Sequence, residues 1–548
     1  MAVLKTILKN NLVRLSFAAI LIFAIFIRFW KLGDFPSGST PDESINIDNA
    51  YSIWHTLKDV GGHFLPLSFN FLNSYEPVPI YLISPFVGLM GLNLFSARLS
   101  SVIASVISVV MIFLITKKLT NKLPIAIFTM FVFAVSPWQI QLSRIALVGQ
   151  IALFFYLAAI YIFLRNLKKG NINWSLPAFL FGFYSYHATK IFMIAFIPIL
   201  LFIYRDELLK KKKEVIVFAI GILLIIISFV FVLKTQSVNR QDVFITYNGS
   251  IVTDITKTER TYNSAPPVIK KFFTNKLLTY FQMIWGNYLS AFSPDYLFIN
   301  GETGYNQKIY GLGDRGVLYV IELPLLIAGI LYVFSQKTQL RSFLLLGLLI
   351  APLPSTFAID KSYGMRSIMM LPFLSMLIGC GIYVVINKLR AISKRYSFLL
   401  LWFFALTYLF FIAQFLYQYF FRYNIYGAEA MFQSSRDVTE YVAKEHDKYK
   451  QVLIVNNGGL LWQYALFNRE NPNKIQSAYR TKQIDNIKFI ENCIKTYGKP
   501  FDPKTYLPPN TMYVIPSDCY KKTASEPIRS IIQVGEPLHA IWDIYQNN

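Results

Sequence analysis

Residues 16–31 read SFAAILIFAIFIRFWK, and the class of the whole chain turns on them. An apolar run from Ser16 to Ile27 follows Lys5, Lys9 and Arg14, the charge order of a secretory leader. A leader would end in small residues at a cleavage site; this run ends in Arg28-Phe29-Trp30-Lys31. It therefore reads as an uncleaved first membrane span. Working outward, similar runs recur from Leu12 to Phe421, most long enough to cross a hydrocarbon core of about 30 Å. The 548 residues are 54% hydrophobic and 16% aromatic, with a mean hydropathy of +0.43. The chain reads as an all-α polytopic membrane protein.

Eleven spans are expected: Leu12–Phe29, Ala97–Thr116, Leu123–Trp138, Ile145–Leu164, Trp174–Tyr184, Ile191–Tyr204, Val215–Leu233, Gly316–Phe334, Ser342–Ala358, Ser367–Ile386 and Tyr396–Phe420. With the N-terminus in the cytoplasm, twenty basic residues fall on inner segments, including Lys210–Lys213 and Lys388–Arg395. The short outer turns hold only Arg144, Lys190, Lys361 and Arg366. That asymmetry sets the orientation. It also demotes Tyr75–Met90, interrupted by Pro77, Pro79 and Pro85, to a juxtamembrane helix at the outer interface, because counting it as a span would reverse the bias. The same argument divides Leu176–Tyr204 into two short spans turning at Ser185–Lys190.

This topology gives a membrane domain over 1–421, with outer segments at 30–96 and 234–315, and an extracytoplasmic domain over 422–548. In the last, VLIV at 452–455 and MYVI at 512–515 read as buried strands and Ser434–Lys448 as a helix, a small α/β fold. Cys493 and Cys519 lie in that domain and would be able to pair there; Cys380 lies in a span. The net charge of +23 is accounted for by positive inner loops, and no basic helix or stacking-aromatic motif signals a nucleic-acid partner. The sequon Asn248-Gly249-Ser250 reads as chance.

The first outer segment carries Thr40-Pro41-Asp42-Glu43, which has the form of a helix start: a capping threonine, proline at the first position and a Thr-x-x-Glu box. Ile47, Tyr51, Trp54 and Leu57 follow on one apolar face suited to the membrane surface, with Gly61-Gly62 as the stop. The box accounts for Glu43 as a helix-start residue. Asp42 is less easily accounted for, since it sits where a substrate with a lipid tail must arrive. Cations come from two other outer turns, His187 and Lys190 in one, Lys361 and Arg366 in the other. Boundary cations often serve only as anchors. Here they face the same side as the outward acid pair.

The stretches GDFPSGSTPDESINIDNAYSIWHTLKDVGGHFLP and YEPVPIYLISPFVGLMGLNLFSARLSS resemble the first outer loop of polyprenyl-phosphate-sugar-dependent membrane glycosyltransferases. These are GT-C enzymes of glycosyltransferase family 39, among them protein O-mannosyltransferases and aminoarabinose transferases. The family's Asp-Glu pair falls on Asp42-Glu43 and its arginine on Arg98; SPDYLFINGE at 293–302 and the Lys361…Arg366…Pro372 segment are also similar. The resemblance spans about residues 15–420. It implies a multi-pass protein of the plasma membrane that moves a sugar from a polyprenyl-phosphate donor to a protein, lipid or glycan acceptor on the outer face. A leaving phosphate needs no proton, so one base plus cations suffices. Asp42, with Glu43 beside it, is the expected base, and His187, Lys190, Lys361 and Arg366 the donor-phosphate ligands. Some relatives bind a divalent metal, but the first loop has no Asp-x-Asp, so no metal or other cofactor is inferred. The alternatives are a ligase or polymerase of lipid-linked oligosaccharides, a lipid or solute transporter, and a non-catalytic scaffold.

Overall fold

The computed structural model describes residues 11–70, 74–235, 249–302, 307–359, 363–392, 394–456, 459–496 and 499–547. A helix forms at each of the eleven expected spans. Among the described residues seven are long and apolar enough to cross a membrane, and an eighth is the pair Leu123–Val135 and Pro137–Ser143, bent by 55°. Pro137 causes the break, since it has no N–H to continue the ladder and forces the preceding residue out of the helical region. Three shorter apolar helices, Ile172–Phe183, Thr189–Ile203 and Glu322–Phe334, complete the set. The segment read as interfacial is a separate 14-residue helix, Pro77–Met90.

The bundle is joined by close backbone packing. A Cβ placed on Gly329 would lie 1.8 Å from the Leu377 carbonyl oxygen, and one on Gly381 1.8 Å from that of Leu325. Helices Glu322–Phe334 and Met370–Ile392 thus touch main chain to main chain, as membrane helices with small interface residues do. Arg144 is not an exposed boundary cation. It is fully buried and donates to the carbonyls of Ile27 and Arg28, each at 2.9 Å, and of Trp30 at 2.8 Å. It neutralises the negative end of helix Asn11–Phe29, which would otherwise leave carbonyls without donors.

The C-terminal region forms a six-stranded mixed sheet in the order β4-β5-β3-β6-β8-β7, with β3 Gln451–Val455, β4 Gln483–Ile484, β5 Ile487–Ile490, β6 Thr511–Pro516, β7 Arg529–Gln533 and β8 Glu536–Asn547. A two-stranded hairpin of β1 Phe69–Asn70 and β2 Ser74–Tyr75 precedes it in the chain. The apolar runs at 452–455 and 512–515 are β3 and β6, paired in parallel at the centre. Both faces are covered, with Val452 and Ile454 in one core and Leu453 and Val455 in the other, which is why neither run alternates with polar residues. Helix Gln433–Glu445 lies where one was expected. Cys493 and Cys519 are disulfide-bonded.

The first core also contains Ile45, Ile47, Ala50 and Ile53 from the first loop, together with Trp462 and Tyr479 from the C-terminal region. This corrects the expected membrane-facing stripe. Helix Pro41–Thr56 is sandwiched between Pro77–Met90 and the C-terminal helices Leu460–Phe467 and Pro472–Thr481, so Ile47 is buried in protein while Trp54 and Leu57 stay exposed. Leu57, with φ 56°, ends the helix before Gly61 is reached.

Candidate active site

The loop helix starts as its sequence predicts. Thr40 has extended backbone and its Oγ1 accepts from the Glu43 N–H at 3.2 Å, and Pro41 fills a position that needs no donor. The reciprocal half of the capping box is replaced. Glu43 turns away from Thr40 and takes Arg98, whose Nε and Nη2 donate to its two carboxylate oxygens at 2.9 and 3.1 Å. Ala146 N–H adds a third bond at 2.8 Å. Arg98 also donates to the carbonyls of Leu32, Pro36 and Gly38. Both side chains are 0% exposed. Glu43 therefore ties the first loop to helix Leu94–Thr120, and the pair leaves it no free edge toward a substrate.

Asp42, one residue earlier, points the other way. It lines a small cavity with Asn46, Tyr75, Glu76, Tyr186, His187 and Met365. Tyr75 Oη, from β2, donates to Asp42 Oδ1 at 2.9 Å, and Oδ2 has no hydrogen-bond partner among the described residues. Asn46 follows Asp42 by one helical turn, and its Oδ1 is buried without a partner among the described residues.

Opposite Asp42, Glu76 precedes helix Pro77–Met90 and meets the turn that carries His187 and Lys190. The turn is stitched to that helix by the Val78 N–H donating to the Tyr184 carbonyl at 3.2 Å. His187 Nδ1 and Lys190 Nζ both bond Glu76 Oε1, and these two nitrogens lie 3.2 Å apart. Burial alone would push the Glu76 carboxyl up; Lys190 and His187 overcome this and hold it below the usual carboxylate range. Lys190 is enclosed by aromatic rings, with Phe229 4.0 Å and Phe183 5.2 Å from Nζ to centroid. Among the described residues no group of three or more His, Cys, Asp or Glu side chains converges as a metal site, and the third group on Glu76 and His187 is an ammonium, which cannot ligate a cation.

The third wall is the short helix Tyr363–Arg366, which brings Met365 to the cavity. Glu302, almost fully buried, accepts the N–H groups of Tyr363 and Gly364 at 2.8 and 2.6 Å, and Trp138 Nε1 donates to the Gly364 carbonyl at 2.5 Å. Asp42 and Arg366 both act on the buried Tyr310 hydroxyl, burial being the main cause that raises its pKa. Asp42 and Arg366 thus face a common neighbour. Lys361 lies outside the described residues.

Of the residues expected at the site, Asp42 and His187 line the cavity, Lys190 stands behind Glu76, Arg366 adjoins the lining residue Met365, and Glu43 belongs to a buried ion pair. Sequence reasoning passed over Tyr75, Glu76 and Asn46. The signal for the first two was their place just before the proline-rich helix; for Asn46 it was the i+4 spacing from Asp42.

Residues 74–232, which include Tyr75, Glu76, His187 and Lys190, match the family model described as dolichyl-phosphate-mannose-protein mannosyltransferase. No curated protein sequence matches the chain. Among solved structures, ArnT from Cupriavidus metallidurans, bound to undecaprenyl phosphate, is 11% identical with a TM-score of 0.52, and the match covers 97% of this chain and 98% of that one. The oligosaccharyltransferase AglB from Archaeoglobus fulgidus, in complex with an inhibitory peptide and a dolichol-phosphate, is 13% identical with a TM-score of 0.47 over 83% of this chain; the chain spans 63% of its length. The segment that matches the mannosyltransferase family model thus forms the wall facing Asp42, and the chain that carries it is a multi-span membrane protein with the fold of ArnT.

Proposed function

We propose that the protein is a membrane glycosyltransferase that moves a sugar from a polyprenyl-phosphate donor to an acceptor hydroxyl on the extracytoplasmic face of the plasma membrane. The observation that carries this is the placement of Asp42 on one wall of the cavity, opposite the Glu76–His187–Lys190 cluster and beside the Arg366 helix. Asp42 Oδ2 takes the proton of the acceptor hydroxyl as its oxygen bonds to the anomeric carbon; the carbon–phosphate oxygen bond breaks and polyprenyl phosphate leaves with the electron pair. Tyr75 holds Oδ1 and aims the free oxygen. Glu76 neutralises the Lys190 charge of its cluster, so phosphate attraction falls to His187 and to Arg366 with Lys361. Positioned donors of this kind stabilise charge that grows on the leaving group. The undecaprenyl phosphate bound to ArnT, and the family match over 74–232, support a lipid-phosphate donor.

The test is Asp42→Asn in membranes supplied with a polyprenyl-phosphate sugar. Loss of a general base lowers transfer by about a hundred- to ten-thousandfold; near-normal transfer would remove Asp42 from the mechanism. Comparing a single-sugar donor with a lipid-linked oligosaccharide separates this function from that of a ligase or polymerase.

A further inference from the structure

Helix Pro41–Thr56 has a second polar stripe, turned away from the cavity. Asp48, Ser52 and Thr56 recur at i, i+4 and i+8, which places them on one face. All three meet the C-terminal region. Tyr479 Oη donates to Asp48 Oδ2 at 2.8 Å, and Gln476 Nε2 donates to Ser52 Oγ and Thr56 Oγ1, each at 2.8 Å. Just ahead of the helix, Gln463 Nε2 donates to the Ser39 carbonyl at 2.9 Å. Asp48 is 0% exposed, and its Oδ1 has no hydrogen-bond partner among the described residues. The Tyr479 ring is itself fixed edge-on against Trp462, 3.8 Å between centroids.

Resting on the transferase function just proposed, we propose that Asp48 and Tyr479 form a positioning pair through which the C-terminal region sets the loop helix in place and so places the Asp42 carboxylate against the donor. Burial of the pair disfavours an ionised Asp48. Helices Pro77–Met90 and Leu460–Phe467, packed on the loop helix, contain no charged residue. On Pro472–Thr481, Lys474 pairs with Asp485 at 2.7 Å and Arg480 donates to the Gln476 carbonyl. Tyr479 acts on Asp48 through its hydrogen bond, and Tyr75 acts in turn on Tyr479. Burial pushes the Asp48 carboxyl well above its usual range, and the Tyr479 bond only partly opposes this. A raised carboxyl favours the folded, docked state at low pH, and that preference fades as pH rises from the unfolded value toward the folded one.

The experiment uses the full-length protein in nanodiscs and two readouts. Asp48→Asn keeps the shape and an acceptor for Tyr479 but cannot ionise. It should retain transfer, move the alkaline limb of kcat to higher pH and leave the acidic limb in place. Its thermal midpoint should exceed that of the wild type at about pH 9, with the gap closing toward about pH 5. Tyr479→Phe and Asp48→Ala should lower kcat about tenfold to a hundredfold at unchanged donor KM, since a displacement of about 1 Å costs this much. The proposal is overturned if Asp48→Asn is as impaired as Asp48→Ala at every pH, or if its melting profile across pH overlays that of the wild type. Absence of transfer from polyprenyl-phosphate sugars even in the wild type would overturn the transferase function instead, and the melting profiles would still decide the pair.

Discussion

Replacing Glu43 or Arg98 separates a structural acid from a catalytic one. Glu43 is enclosed, with Arg98 and the Ala146 N–H as its three hydrogen-bond donors. Arg98→Met removes the fork and leaves a buried carboxylate with one backbone donor; Glu43→Gln leaves a buried guanidinium without its counter-charge. Breaking a buried pair from one side costs about 3–5 kcal/mol, whereas replacing both partners by apolar side chains of similar volume is often close to neutral. Each single variant should therefore lose a large part of a typical total stability of about 5–15 kcal/mol. The double variant Glu43→Leu/Arg98→Met should recover most of that loss, apart from the carbonyls of Leu32, Pro36 and Gly38, which lose their donor at about 1 kcal/mol each. Denaturant unfolding of the purified protein, run as a double-mutant cycle beside transfer assays, reads both quantities. In the structural account, activity follows the folded fraction in all three variants. A Glu43→Gln protein as stable as the wild type yet unable to transfer sugar would refute it and make Glu43 a chemical participant.

Three further outcomes follow from the same geometry. Glu302→Gln should lower donor affinity more than it lowers kcat, because it loosens the Tyr363 and Gly364 N–H groups that place Arg366; an unchanged donor KM would contradict this. Glu76 has a depressed carboxyl, so its contribution to stability is present above the ordinary glutamate value and is lost as pH falls through the lower folded value. The acid limb of the unfolding profile should accordingly flatten in Glu76→Gln, and an unaltered limb would argue against the ion cluster. Removing the Cys493–Cys519 bond, which spans 26 residues, should destabilise the C-terminal region by about 3 kcal/mol on a chain-entropy basis, measured as faster limited proteolysis of that region under reduction.

How much of this was legible beforehand depended on the range of the interaction involved. The short span pair around Ser185–Lys190 emerged from charge counting, since loop charge and span length are local quantities. The strands at 452–455 and 512–515 were visible because complete burial leaves an unbroken apolar run. Asp42 stood out because acids are scarce in the short outer turns. The Thr40 cap was predicted correctly, yet the capping box also suggested a local partner for Glu43, and Arg98 outcompeted it. No local rule anticipates a guanidinium 55 residues away. Likewise, the 47/51/54/57 stripe has the periodicity of a membrane-surface helix, and only the docking of the C-terminal region shows that protein, not lipid, covers Ile47.

From the order of residues alone came a multi-span membrane chain, the places of its apolar helices, a small α/β region at the end and one acid worth testing, because hydropathy, charge bias and capping act over a few turns of chain. Tertiary structure decided which of two adjacent acids faces the cavity, that Glu76 joins His187 and Lys190, and that the C-terminal helices grip the back of the loop helix. Those outcomes depend on which buried charge finds a partner from a distant segment. An unpaired charge inside a protein costs several kcal/mol, more than any single local preference supplies.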